Sequence, residues 1–182
     1  AKQGAEILGV DPGFAALLVG LVSTMNGVGR VVNGAIFDRL GLVPVMFLSA
    51  GLAIVTMAAL AFSLTALPLA AGATASTAII YIIAGILVAF PYGSIPVMAS
   101  AYARQRYLAQ DFAKNLGIAN CNIASAAFIN IVIVFFLGSP AAEGGVAIYS
   151  LLAVLAVVAL VFAFVFGKAY RTDLVKIEDE TS

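Results

Sequence analysis

The chain has 182 residues, of which 63% are hydrophobic and only 10% charged, against about a quarter charged in an ordinary soluble domain. With a mean hydropathy of +1.12, it reads as an all-α membrane protein embedded in a lipid bilayer. Nine Lys plus Arg balance nine Asp plus Glu, and there is one cysteine and no histidine. Net charge therefore points to no nucleic-acid partner, and nothing in the composition supplies a catalytic triad, a haem ligand or a Cys/His metal set. No enzyme, metal or cofactor is expected, and Cys121, lying in an apolar run, reads as an inert core residue.

The first residues, "AKQGAEILGVDPG", lack an initiator methionine, a basic n-region and a cleavage site. They read as the start of a piece of a longer chain, with 1–11 a stretch outside the membrane. A bilayer core needs about 20 mostly apolar residues per helix. Five segments qualify: Pro12 to Phe37, Val43 to Leu64, Thr77 to Ala101, Phe112 to Leu137 and Val146 to Gly167. A soluble bundle would need polar faces on its outer helices, and these are missing. The runs are too long and too uniform for barrel strands, which alternate over about ten residues.

The first span holds Asn26, Arg30 and Asn33. Arg30 precedes Asp38 by about 12 Å of helix, at 1.5 Å per residue, too deep for a loop charge. The second span is almost purely apolar, "VPVMFLSAGLAIVTMAALAFSL", and so is the fifth; both are expected at the lipid-facing periphery. In the third, Pro91 and Pro96 each remove a backbone hydrogen bond, so the helix should bend or break near Pro91, and both are candidate gating points. Tyr92, beside that break, is the natural hydroxyl to offer a ligand. The fourth span carries Asn115, Asn120, Asn122, Ser125 and Asn130. All but Asn120 fall within an arc of about 140°, a face that wants protein or water. Hydrogen bonding between helices is the plainer use of such residues. The tail from 168, "KAYRTDLVKIEDETS", reads as a solvated terminus.

Arg39, Arg104, Arg106, Lys114, Lys168, Arg171 and Lys176 all fall on one side of this topology, while the other side receives Lys2, an uncharged linker and Glu143. The positive-inside rule then puts the N-terminus outside and the tail in the cytoplasm. Tyr102, Tyr107, Tyr149 and Tyr170 stand near span ends, where interfacial aromatics belong.

"GAIFDRLG", Gly34 to Gly41, resembles the cytoplasmic loop motif G-x-x-x-D-R-x-G-R-K of the major facilitator superfamily. "NGVGR" (Asn26 to Arg30), "FPYGSIP" and "YLAQDFAKNLGI" (Tyr107 to Ile118) are similar to the C-terminal half of its oxalate/formate antiporter-like branch. The resemblance covers the chain as helices eight to twelve of twelve, a partial C-terminal bundle whose N-terminal partner bundle is missing. It implies a transporter of the bacterial cytoplasmic membrane and an alternating-access mechanism. It also implies a gating role for Asp38 with Arg39, through pairing that favours an outward-open state. "LVP" stands after Gly41 where the family often has basic residues, a departure from that latch. Gly34 is expected to allow close helix approach and Gly41 a tight turn.

A cation within a span costs about 2.5–3.5 kcal/mol on insertion scales. Three roles fit Arg30: binding an anionic solute, such as the small carboxylate the resemblance implies; pairing with an acid in the missing half; or snorkelling to the surface. With Asn26, Tyr92, Asn115 and Asn122 it forms the candidate substrate set. No acid lies inside a span except Asp111 at a border, which favours exchange or facilitated diffusion over proton coupling. The competing expectation is a non-transporting membrane subunit of a larger complex.

Overall fold

The computed structural model describes residues 11–66, 75–138 and 145–181, with the helix beyond Tyr170 followed by its backbone. Lys2, the linker at 67–74 and Glu143 lie outside the described residues. The described elements are helices: α1 (Pro12–Leu40), α2 (Leu42–Ala66), α3 (Ala75–Leu87), α4 (Ala89–Arg106), α5 (Ala109–Leu137) and α6 (Gly145–Thr181). Five stretches are long and apolar enough to cross a membrane, α3 and α4 together forming one of them, Ala78–Arg106. The chain is an all-α integral membrane protein. At 1.5 Å per residue, the 25 residues of α2 reach about 37 Å, more than the roughly 30 Å hydrocarbon core.

Local chemistry sets the helix ends. Asp11 caps α1, its carboxylate accepting from the backbone of Gly13 at 3.0 Å and Phe14 at 3.2 Å, and Pro12 follows in the first turn, where a missing N–H does no harm. Gly41 closes α1 with φ +84°, its N–H donating to the Phe37 carbonyl at 2.8 Å. That left-handed conformation is what the expected tight turn requires. The third span is interrupted at Val88, three residues before Pro91. Pro91 has no N–H to give the Leu87 carbonyl, so the hydrogen-bond ladder lapses there. Val88 keeps helical angles, φ −60° and ψ −23°, and the interruption is a hitch within one span.

The most extensive pairings are α2 with α6 and α1 with α4. At one end of the bundle Phe37, Leu42 and Val45 form a buried cluster with Met46, Met98 and Tyr102 against it. At the other, Leu60, Leu64, Tyr81 and Ala84 do the same, with Tyr149 packed alongside. Between them the Ser49 hydroxyl donates to Ser94 at 2.8 Å and Ser94 to the Pro91 carbonyl at 2.6 Å, a fully buried polar link from α2 to α4.

α2 touches α1, α3, α4 and α6; Ser49, Thr56 and Ser63 are buried against them, while Phe47, Leu48, Val55 and Phe62 are left exposed, an apolar face such as lipid would cover. Two expectations need correction. The polar fourth span has no buried residue. Cys121, on that helix, is exposed, so it is not a core residue. The last helix does not stop near Gly167 but continues to Thr181, because nothing in "KAYRTDLVKIEDET" breaks a helix.

Candidate functional site

The site is built on the crossing of α1 and α4. A methyl group on Gly93 would stand 2.5 Å from the Asn26 carbonyl oxygen, and one on Gly29 would collide with the Phe90 carbonyl. The two backbones therefore touch directly, as small residues permit between membrane helices. Gly34, expected to serve this purpose, meets only the Val97 side chain at an ordinary 3.8 Å. The tight contact is more than a turn away, at Gly29.

Next to the contact, Arg30 projects from α1 and Tyr92 from α4. The Arg30 Nε donates to the Asn26 Oδ1 at 3.1 Å, an i, i−4 pair on one helix face. Arg30, Tyr92, Ile95, Pro96, Asn122 and Asn130 line a cavity of about 480 Å³, together with Ile123 and two alanines of α5. This is within the usual range for small-molecule sites, about 300–1,000 Å³. Its wall is mostly apolar, with one guanidinium, one phenol and two amides facing it. Such an arrangement can seat an anion by charge-assisted hydrogen bonds from the guanidinium, with neutral donors to orient the rest of the solute.

Of the predicted substrate residues, Arg30, Tyr92 and Asn122 share the cavity and Asn26 supports Arg30. Asn115 does not join them: its Nδ2 donates to the Asp111 carbonyl of its own helix at 3.0 Å. Asn130 lines the cavity, and its place on the polar arc of the fourth span signalled it. Ser125 bonds back to the Cys121 carbonyl at 3.0 Å. Among the predicted gating residues, Pro96 lines the cavity, Pro91 is buried at the interruption, and Asp38 and Arg39 are exposed at the end of α1.

Gly29 and Ile95 were not singled out by sequence reasoning. The signal for a close approach on α4 was the small-x-x-x-small pair Ala89 and Gly93, both buried. Asn33 is wholly buried; its Nδ2 donates to the Gly29 carbonyl at 2.7 Å, and its Oδ1 has no partner. Beside the first cavity lies a second of about 340 Å³ between α2, α4 and α6, almost wholly apolar, and Tyr92 and Ile95 border both. Among the described residues no group of His, Cys, Asp and Glu is placed to hold a metal ion.

No protein-family model, curated protein or solved structure matches the chain.

Proposed function

We propose that the chain is helices eight to twelve of a secondary transporter of the major facilitator type, and that Arg30 holds an anionic solute, a small carboxylate, during alternating access. The observation that carries this reading is the cavity of Arg30, Tyr92, Asn122 and Asn130. It gathers a costly intramembrane cation, one tyrosine of the third span and two of the four asparagines of the fourth into one space. The reading is also supported by α5, which touches α4 and α6 only sparsely and has no buried residue. A further bundle would close the cavity from that side and supply the second half of the binding site.

Arg39, Arg104, Arg106, Lys114 and Lys168 lie toward the same ends of their spans, which supports a cytoplasmic tail and an outside N-terminus in a bacterial cytoplasmic membrane. The sparsely contacted α5 favours equally a subunit packed against partner helices, and the intact mass of the natural polypeptide separates the two. Twelve spans of some 20 residues need roughly twice this chain's 18.6 kDa.

The decisive experiment is uptake of labelled small carboxylates by the full-length protein in proteoliposomes. Arg30→Ala should abolish uptake at unchanged expression, and Arg30→Lys should keep part of it. Uptake that survives Arg30→Ala removes the substrate role.

A further inference from the structure

We propose a binding site for one anionic phospholipid in the groove between α2 and α6, at the end of the bundle where the basic residues gather. Val43, Phe47, Phe164, Gly167 and Lys168 line a recess of about 310 Å³. Its floor is the close approach of α6 to α2, where a methyl on Gly167 would stand 3.1 Å from the Val43 side chain. Its walls are the rings of Phe47 and Phe164, both exposed in part. Its mouth carries a cation: the Lys168 Nζ stands 4.6 Å from the centroid of the Phe164 ring.

The order of these groups along the helices matches a lipid. Lys168 is one turn beyond Phe164, about 6 Å farther along α6, and Val43 lies in the first turn of α2 with Phe47 one turn deeper. An acyl chain lying between the rings would therefore bring its phosphate to the ammonium, at the height where long basic side chains reach the headgroups. An ammonium has three N–H donors and can serve a phosphate alongside another partner. Charge selects the anionic lipid over the zwitterionic one. Arg39, Arg104, Arg106 and Lys114 are exposed at the same end as Lys168, against the acids Asp38 and Asp111; the helix beyond adds two basic and four acidic residues, so selection rests on Lys168 at the groove mouth. Basic recesses between membrane helices are places where anionic headgroups settle. The proposal requires only that the chain spans a membrane and is independent of whether it transports.

The test is native mass spectrometry of the full-length protein released from micelles containing phosphatidylglycerol and phosphatidylcholine in equal amounts. The wild type should retain phosphatidylglycerol with about a fivefold preference, the value of one basic residue at an anionic surface. Lys168→Gln should erase that preference and Lys168→Arg keep it. Lys114→Gln, on α5, should leave it intact, and Phe47→Ala should lower retention of both lipids without altering their ratio. Equal retention of the two lipids by the wild type would overturn the proposal. So would an undiminished preference in Lys168→Gln, an equal loss in Lys114→Gln, unchanged retention in Phe47→Ala, or a second copy of the chain occupying the groove in place of lipid.

Discussion

Gly29 of α1 and Gly93 of α4 stand at one backbone crossing: a side chain on Gly29 would meet the main chain of Phe90, and one on Gly93 the main chain of Asn26, Gly29 and Arg30. The contact leaves neither helix room for a Cβ. Overpacking a filled interior costs about 1–3 kcal/mol, and here the obstacle is main chain and cannot rotate away. Gly29→Ala and Gly93→Ala should each destabilise by at least the upper part of that range in detergent unfolding titrations. Gly27→Ala, where nothing stands within 4 Å, should be neutral. Equal stability of all three variants would refute the contact.

Asn26 orients Arg30 through the 3.1 Å bond to its Nε. If Arg30 holds the solute, Asn26→Ala should raise the KM for uptake several-fold and leave the maximal rate nearly unchanged. A hydrogen bond to a charged group contributes about 1.5–3 kcal/mol, and an exposed one less. Loss of transport as complete as in Arg30→Ala would mean that Asn26 touches solute itself.

Asn33 Oδ1 is buried without a donor, and the Gly29 carbonyl that its Nδ2 meets can still accept its regular helical bond. Asn33→Leu therefore removes an unsatisfied acceptor and creates no new one. Leaving such a group unpaired costs about 1–3 kcal/mol, so the variant should unfold at about 1 kcal/mol higher stability. Destabilisation instead would place a hydrogen-bond donor at Oδ1 in the complete protein.

Tyr107 is exposed in the short turn between α4 and α5. In a background where Cys121→Ala removes the native thiol, Tyr107→Cys should react in whole cells with membrane-permeant maleimides only. Labelling by an impermeant reagent would invert the proposed orientation.

The five spans and the tight turn at Gly41 were legible in the sequence, because hydropathy and left-handed glycine are local properties; the Asp11 cap went unread. The interruption near Pro91 was legible too, displaced to Val88 because the proline disables the carbonyl four residues before it. What could not be read was which neighbour each face meets. Ser49, Thr56 and Ser63 look incidental in an apolar run, yet all three are buried and mark the inner face of α2. The arc of α5 was visible, but helical spacing alone did not reveal that Asn115 and Ser125 spend their donors on their own helix. Arg30 and Tyr92 come from spans more than sixty residues apart, and only the crossing at Gly29 and Gly93 brings them to one cavity.

That crossing also has the geometry of a fulcrum. Leu40 lies eleven residues from Gly29, about 16 Å along α1. A 10° tilt of α1 about the contact would carry that end through about 3 Å and move the backbone of Arg30 by only a few tenths of an ångström. Arg30 and Tyr92 sit where leverage is least, so a tilt that separates the ends of α1 and α4 would leave the spacing of these two residues almost unchanged.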